Sequence, residues 1–320
     1  MAQSEEDLLV QLAWLYYVAN LNQEEIAARL GVSRFKITRL LARARETGIV
    51  RISIDHATVA TLERGEAIAR RFGLIECIVT PPLGLAKDDS GEGAAARRAV
   101  GIAAASFLTR RLDEAEQLVV GLAWGRTIAA MVDAMPTLRK SEARFVSLMG
   151  SLSRTARTNP FDCAQALAQR CGGEAYLLPA PFIADSESDY DVIMSQKLVQ
   201  ESLALARRSD LIVASFGDAS QNSFISTHDL VHRGEIEQLE RDGAVADMLG
   251  KFFAEDGRVV ESPLNRRTPG IAIDEMRARE IVLLGAGRSK VEALRALLRS
   301  GLINRLIVDG DLAEALEALR

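Results

Sequence analysis

Four short loops in this sequence combine glycine with side chains that could bind a polar ligand. Each loop follows an apolar run, and glycine at such a place lets the backbone approach a ligand closely. N–H groups at a helix start bind anions, and a lysine there can pair with a phosphate. One such loop is often only a turn, but four in one chain favour a site for a polyhydroxylated or phosphorylated ligand. The candidate residues from these loops are Gly121, Trp124, Gly125, Thr127, Gly150, Asn159, Gly217, Asp218, Gly285 and Lys290.

Two features of the sequence have competing interpretations. Trp124 could stack on a sugar ring, and a packing role in the interior is an equal alternative. His228 and His232 are four residues apart and could share a helix face as metal ligands do. Polar surface residues are the favoured interpretation, because no second Cys/His motif accompanies them. The sequence therefore predicts neither a metal nor a cofactor.

Residues 22–48 have the pattern of a DNA-binding module. Asn22 and Glu25 are placed for a capping box at the start of one helix, and Gly31 and Ser33 bound the turn into a second helix. The second helix has one apolar and one basic face, which is typical of a helix-turn-helix whose recognition helix enters the major groove. The predicted DNA-contacting residues are Gln23, Ser33, Arg34, Phe35, Lys36, Thr38, Arg39 and Arg43.

The charge distribution supports DNA binding locally rather than globally. The net charge of −5 and the pI of about 5.5 argue against a nucleic-acid binder for the chain as a whole. Between Arg29 and Arg51, however, seven basic residues accompany a single acid, Glu46. Phosphate neutralisation is local, so a basic patch on an acidic protein suffices. The alternative to a DNA-binding module is a pair of solvent-exposed amphipathic helices from a helical bundle. Caps, turn, apolar stripe and basic face coincide here, which favours double-stranded DNA as the partner.

The elements that position these residues fall into two predicted domains, 1–56 and 57–320. The first domain combines the helix-turn-helix with an earlier helix and a strand or wing at 49–54, and residues 55–65 form a predicted linker, helical from about Thr58. The second alternates short apolar runs with helical stretches, which indicates a mostly parallel, doubly wound α/β sheet with its ligand beyond the strand ends. The predicted strands are 75–80, 118–122, 145–149, 175–179, 211–216, 270–273, 281–284 and 306–308, and the predicted helices are 94–111, 126–135, 161–171, 196–208, 244–254 and 288–300.

The composition is that of an ordinary globular protein. The chain has 320 residues, 48% of them hydrophobic and 26% charged, which fits two domains. No apolar run approaches the roughly 20 residues that cross a bilayer, and the acidic start MAQSEEDLL lacks the order of a signal peptide. Cys77, Cys163 and Cys171 form no CxxC pair, so we interpret them as buried thiols in a reducing compartment. We expect a cytoplasmic protein with no membrane partner.

The sequence resembles the SorC family of bacterial sugar-responsive transcriptional regulators, which includes the deoxyribonucleoside and central glycolytic gene regulators. The resemblance spans most of the chain. It implies an effector domain similar to sugar-phosphate isomerases but used for sensing. It also implies a regulator, typically tetrameric, that a sugar, polyol or sugar phosphate releases from its operator or remodels on it. The segments that carry the resemblance are YYVANLNQEEIAARLGVSRFKITRLLARARETGIV at 16–50, GLAWGRT at 121–127, LPAPF at 178–182, GAVADMLGKFF at 243–253 and GAGRSKVEALRALLRSGLINRLIVD at 285–309.

Carried over by position, the resemblance assigns the effector contacts to three places. These are the backbone and Thr127 of the GLAWGRT loop, Asp247, and Lys290. Three positions depart from the family pattern. Ala246 replaces the glycine that precedes Asp247 in the family motif. Ala123 replaces a serine, which removes one hydroxyl, and Met149 stands where some relatives carry a lysine able to form a Schiff base. The resemblance therefore implies a non-covalently bound effector.

Two classes of function fit these residues. The favoured one is a DNA-binding regulator, a repressor of a carbohydrate or polyol catabolic operon. One helix-turn-helix contacts only a few base pairs, so we expect a homo-oligomer, and the resemblance implies a tetramer. The alternative is a sugar-phosphate isomerase-like enzyme fused to a DNA-binding module, with Asp218 or Asp247 as its base. No His or Glu lies in a strand-end glycine motif, and a fold does not confer catalysis, so we expect no enzyme.

Overall fold

The computed structural model describes residues 5–50, 58–83, 93–151, 162–220, 223–227 and 231–319. The chain divides into two compact units, Met1–Ile54 and Asp55–Arg320. Among the described residues, no helix is both long enough and apolar enough to pass through a bilayer.

The N-terminal unit is a helix-turn-helix preceded by one further helix. Its helices are α1 (Glu5–Ala13), which continues into a π-helical turn (Trp14–Val18), α2 (Gln23–Leu30) and α3 (Arg34–Glu46). The Asn22 side chain accepts the N–H groups of Glu24 and Glu25 at 3.0 Å each, and the capping box predicted for α2 is confirmed. Gly31 then ends α2 with a φ of 65°, which favours glycine. The core of this unit consists of Leu9, Leu12, Ile26, Ala27, Ile37, Leu40, Leu41 and Ala44.

The second unit alternates strands and helices, as predicted. Its described strands are β1 (Glu76–Val79), β2 (Val119–Leu122), β3 (Arg144–Ser147), β4 (Glu174–Tyr176), β5 (Leu211–Asp218), β6 (Ala244–Met248), β7 (Lys251–Ala254), β8 (Glu280–Gly285) and β9 (Arg305–Val308). Its described helices are α4 (Val59–Phe72), α5 (Ala94–Glu114), α6 (Arg126–Ala134), α7 (Cys163–Cys171), α8 (Glu187–Ser195), α9 (Lys197–Ala206), α10 (Phe224–Thr227), α11 (Arg233–Arg241), α12 (Pro263–Arg267), α13 (Ile273–Met276), α14 (Val291–Arg299) and α15 (Gly310–Ala318).

Seven strands form a parallel sheet in the order β1-β9-β8-β5-β2-β3-β4. The chain runs outward from β2 through β3 and β4 and then returns to β5, on the other side of β2. Crossovers between parallel strands are right-handed, so this reversal puts helices on both faces of the sheet. The predicted doubly wound α/β class is confirmed. In such sheets the ligand crevice lies beyond the carboxyl ends of the strands where the order reverses, here between β2 and β5.

The prediction of a helix at 244–254 is wrong, because this segment is the antiparallel hairpin β6–β7. Burial alternates residue by residue along β6, which is the periodicity of a strand. Leu249 and Gly250 form the turn with φ angles of 54° and 70°, as a type I′ hairpin turn requires. Since β6 pairs with the end of β5, the hairpin extends past the parallel strands and places Asp247 opposite Gly217.

The strand predicted at 270–273 is also wrong. Gly270 makes a single antiparallel bridge to Met149, just beyond β3, and α13 begins at Ile273. A run of four apolar residues fits a strand and a buried loop equally well, because burial alone does not set the backbone conformation.

The connection between the two units is described only in part. The wing predicted at 49–54 is described at its first two residues, which form no strand, and the rest of it lies outside the described residues. The linker predicted at 55–65 is helical after Thr58, whose hydroxyl accepts the N–H of Thr61 at 3.3 Å. The expected helix start near Thr58 is therefore confirmed, and the linker is shorter than predicted.

Candidate functional site

The exposed face of α3 gathers most of the predicted DNA-contacting side chains. Arg34, Lys36 and Arg39 are exposed, and Phe35 is 80% exposed. The Ser33 hydroxyl accepts the N–H of Lys36 at 3.3 Å, which fixes the start of the helix. A recognition helix presents its first turns to base edges, and these turns carry the exposed cations.

Three further predicted DNA contacts have partners inside the N-terminal unit. The Thr38 hydroxyl donates to Gln23 Oε1 at 2.8 Å, which joins the start of α2 to α3. Arg43 Nη1 lies 2.5 Å from Glu5 Oε1, and both side chains are more than half exposed. An ion pair this exposed contributes little to stability, so Arg43 can exchange Glu5 for a phosphate at small cost.

In the second unit, the loop after β2 lies against the end of β5. The Ala123 N–H donates to the Val213 carbonyl at 3.1 Å, and Gly125 then turns the chain into α6 with a φ of 144°. A Cβ at Gly125 would lie 2.9 Å from Ser215 Oγ on β5, so this close approach requires glycine. Thr127 is buried in the first turn of α6. The loop thus brings a helix N-terminus to the point where the strand order reverses, a place suited to an anionic group.

Lys290, between β8 and α14, is the centre of a charged cluster. Its Nζ donates to the Phe216 carbonyl at 3.0 Å and lies 5.5 Å from the centroid of the Phe216 ring. Burial lowers the pKa of Lys290, and the nearby charge of Arg126 lowers it further, whereas Asp218 and Asp247 oppose this effect. These influences place the predicted residues Lys290, Asp218 and Asp247 in one electrostatic environment.

Asp247 is the second unusual group of this cluster. Burial raises the pKa of Asp247 to about 7; the charge of Lys290 opposes the rise, and Asp218 adds to it. Near neutral pH the carboxyl group can therefore either donate or accept a hydrogen bond to a ligand hydroxyl. Arg126 on α6 and Arg97 on α5 both act on Lys290. Sequence reasoning missed both arginines. Arg126 lies within the GLAWGRT loop but was not among the predicted contacts, and Arg97 lies on α5, far away in the chain and outside every motif.

Asp309 fixes the loop between β8 and α14 and was also missed. One of its carboxylate oxygens accepts the N–H of Gly287 at 2.7 Å. The other accepts the N–H groups of Asp311 and Leu312 at 3.1 Å each, at the start of α15. An aspartate between an apolar run and a helix signals an N-cap, and that signal was available in the sequence. Only the fold shows that its second oxygen holds the loop beside Lys290.

Trp124 joins the loops after β2, β3 and β4. Its Nε1 donates to the Gly150 carbonyl at 3.0 Å, and its ring meets Phe182 edge to face with centroids 5.1 Å apart. A Cβ at Gly150 would lie 2.0 Å from the Pro181 carbonyl oxygen, so only glycine fits there. Trp124 and Gly150 thus have packing roles, and their contact with a ligand stays a prediction.

The remaining predicted loop residues are not all brought together. Gly285 ends β8, where a Cβ would lie 2.7 Å from the Phe216 ring, so this glycine makes room for the residue that Lys290 contacts. Gly121 lies inside β2 rather than in the loop, and a Cβ there would lie 2.7 Å from Ser209 Oγ. Asn159 lies outside the described residues.

The histidine pair shows no sign of a metal centre where it is described. The His232 N–H donates to Glu235 Oε2 at 3.1 Å at the start of α11, and His228 lies outside the described residues. Within the described ranges, no three His, Cys, Asp or Glu side chains are grouped as metal ligands would be.

Comparisons with known proteins agree with this architecture. The family model described as "Putative sugar-binding domain" matches residues 56–317. The erythritol catabolism regulatory protein EryD of Brucella abortus is 34% identical over 316 residues, which cover 99% of this chain and 98% of EryD. The transcriptional regulator LsrR of Klebsiella pneumoniae is 28% identical over 329 residues, covering 100% of this chain and 95% of LsrR.

Solved structures show the same fold. The full-length sorbitol operon regulator SorC from Klebsiella pneumoniae superposes with a TM-score of 0.70 at 24% identity, over 98% of this chain and 99% of that one. A DeoR family transcriptional regulator from Listeria monocytogenes gives a TM-score of 0.72 at 21% identity, over 80% of this chain and 99% of its own.

Proposed function

Because the chain belongs to the SorC family of sugar-binding transcriptional regulators, we propose that it is a cytoplasmic repressor of a carbohydrate or polyol catabolic operon. A small polyhydroxylated effector binds the crevice between β2 and β5 and controls operator affinity. One observation carries this proposal. Lys290, Asp218 and Asp247 share one charged cluster at the reversal point of the sheet, in a chain that also has a complete helix-turn-helix.

The charges of the crevice favour a phosphate ester over a neutral polyol. Arg97, Arg126 and Lys290 gather positive charge beside the N-terminus of α6, where an anion is stabilised. Asp218 and Asp247 supply oxygen atoms suited to the hydroxyl groups of the same ligand. The relative from Brucella abortus is named for erythritol catabolism, so erythritol 4-phosphate and erythritol are the first probes to compare.

We further propose that the chain acts as a homo-oligomer and that the complete assembly is a tetramer. One helix-turn-helix covers a single half-site, so specific binding requires at least two copies. Val10, Trp14 and Val18 follow one another at helical spacing and are exposed, with Trp14 at 62%, which suits a contact with a second copy. Light scattering of the full chain tests this, because a particle of 34.8 kDa without operator, and a single chain per duplex with it, would contradict it.

The direct test of the function combines two measurements on the full-length protein. A thermal-shift screen against tetritols, pentitols, hexoses and their phosphates identifies the effector, because a ligand that binds only the native state raises the Tm. Anisotropy of a labelled duplex from the upstream region of the operon then measures operator affinity with and without that effector. Release of the duplex supports a repressor. Tightened binding would indicate an activator, and absence of DNA binding would refute the proposal.

Asp247 gives one reason to keep an enzymatic alternative. A carboxyl group with a pKa of about 7 beside a lysine is what a general base for sugar-phosphate isomerisation requires. Incubation with ribose 5-phosphate or glucosamine 6-phosphate distinguishes the two functions. Turnover above background that is lost in Asp247→Asn would establish the enzyme, and binding without turnover supports the sensor.

A further inference from the structure

Arg64, on α4, binds two carboxylates of the C-terminal helix α15. Its Nη1 lies 3.1 Å from Glu314 Oε1, and its Nε lies 3.0 Å from Glu317 Oε2. The Arg64 side chain is only 24% exposed. A guanidinium that binds two acids in this way is held in one orientation, unlike a flexible surface ion pair.

Arg71, also on α4, binds the backbone at the end of α15. It donates to the Leu316 carbonyl at 3.3 Å and to the Leu319 carbonyl at 2.6 Å. The last carbonyl groups of a helix have no partner within the helix. A side chain that donates hydrogen bonds to them therefore attaches the end of that helix to the helix that carries the side chain. Together, Arg64 and Arg71 attach the end of α15 to α4.

The other end of α15 is attached to the loop at 285–290, between β8 and α14, which we call the effector loop. Asp309 caps the helix with one oxygen and holds the Gly287 N–H with the other, so the loop beside Lys290 and the start of α15 share one carboxylate. Gly310, the first residue of α15, packs so closely that a Cβ would lie 2.4 Å from Pro82 N. The loop and the start of this short helix are therefore tied together through one side chain.

The attachment of α15 to α4 matters because of where α4 lies in the chain. α4 is the first described helix after the DNA-binding unit in the sequence. It packs tightly on β1, since a Cβ at Gly65 would lie 2.2 Å from the Cys77 carbonyl oxygen. Between α4 and α15 a cleft of about 220 Å³ remains, lined by Ala67, Ile68, Arg71, Phe72, Leu316 and Glu317. Arg64 and Arg71 therefore supply the polar contacts between the two helices, beside the buried side chains of Ile68 and Leu316.

We propose that α15 is the link through which the effector loop controls the DNA-binding unit: Asp309 couples the Gly287 loop to its start, and Arg64 and Arg71 couple its end to α4. This inference rests on the proposed function and adds the route of regulation. Coupling between two sites is reciprocal, so operator binding must also change the effector loop. The link can therefore be tested without knowing the effector.

The experiment is hydrogen–deuterium exchange of the full-length protein with and without an operator duplex. In the wild type, operator binding should change the exchange of the amides at 285–290 by roughly threefold or more. In Arg64→Gln/Arg71→Gln this change should disappear, while operator affinity stays within about twofold of the wild type, because neither residue belongs to the DNA-binding unit. Arg70→Gln is the matched control. Arg70 lies on the same helix, and its ion pair is with Glu66 of α4 rather than with α15.

Asp309→Asn tests the attachment at the start of α15, and it provides a second test if the double variant does not fold. It retains an oxygen for capping α15 but replaces the second acceptor with an amide group, so it should likewise abolish the change at 285–290. An exchange response in the double variant or in Asp309→Asn equal to the wild-type response would overturn the link. So would a wild type that binds operator with no response at 285–290, or a loss of response in Arg70→Gln. A wild type that binds no operator DNA refutes the proposed function itself, and the link with it.

Discussion

The exposed face of α3 and the charged cluster around Lys290 differ in how exposed their positive charges are and in how far apart in the sequence the charged residues lie. The α3 cations are close in sequence and exposed, and Arg43 has only an exposed partner, Glu5. Lys290 is half-buried, and the charged groups that act on it come from β5, β6, α5 and α6, which lie far apart in the chain. The exposed face of α3 should therefore lose affinity for DNA in small, salt-dependent steps. The charged cluster around Lys290 should respond to single substitutions with large changes and to pH.

The largest expected effect is that of Lys290→Met on effector binding. Removal of a half-buried charge from a charge-assisted contact should weaken binding of a phosphorylated probe by about 2–5 kcal/mol. A neutral polyol should lose less, because it offers no charge to the lysine. Calorimetry with erythritol 4-phosphate and erythritol measures both. The matched control is Arg288→Met, an exposed cation in the same turn. Equal losses in the two variants would show that Lys290 has no special role.

The second prediction concerns pH and uses Asp247→Asn without effector. Because the pKa of Asp247 is raised from 3.8 to about 7, the unfolded chain loses this proton at lower pH than the folded chain does. The wild type therefore loses stability as pH rises from about 4 to 7, on the order of 1–4 kcal/mol, and regains it on acidification. Asparagine does not titrate, so the variant should gain stability relative to the wild type between pH 5 and 8. Denaturant titrations at the two pH values check this; a constant difference would contradict a buried carboxyl.

The third prediction addresses base recognition by α3. Arg39→Ala should weaken operator binding by about 1–3 kcal/mol if Arg39 contacts a guanine. Binding to unrelated DNA should fall much less, and effector binding should be unchanged. Anisotropy with operator and non-operator duplexes measures the ratio of the two affinities. An unchanged ratio in a folded variant would exclude base recognition by this residue.

The smallest effect is expected for Arg43→Ala. Arg43 lies farther along α3 and is expected to contact phosphate, so its loss should weaken all DNA sequences similarly. The slope of log K against log salt should fall by about one. Loss of the Glu5 pair should cost little stability, since both partners are exposed. A salt titration checks the slope, and a sequence-dependent loss would instead assign Arg43 to base contacts.

The helix-turn-helix could be predicted from sequence because everything that specifies it is local. The caps at Asn22 and Ser33 and the turn at Gly31 act within a few residues, and all three are as expected. The parallel strands were also predictable, since apolar runs buried on both faces have few other interpretations.

The effector crevice could be predicted only in part, because its arrangement depends on which strands become neighbours. Asp218 ends β5 and Lys290 follows β8, and their position at the strand ends needs no more than the order of the elements. Asp247 lies opposite Gly217 because residues 244–254 form a hairpin, but the mixed spacing of apolar and polar residues in this segment also fits a helix. Arg97 and Asp309 reach Lys290 and Gly287 only through tertiary packing, which no local pattern records.

We propose that occupancy of the crevice in the second unit sets the operator affinity of the first. The most direct measurement is anisotropy of a labelled operator duplex bound to the full-length wild type while erythritol 4-phosphate, and separately erythritol, is added. We predict that operator affinity falls about 5- to 150-fold as effector binds. Lys290→Met should keep the effector-free affinity and lose this response. An operator affinity that no probe changes, or a Lys290→Met variant released at the same effector concentration as the wild type, would contradict the account.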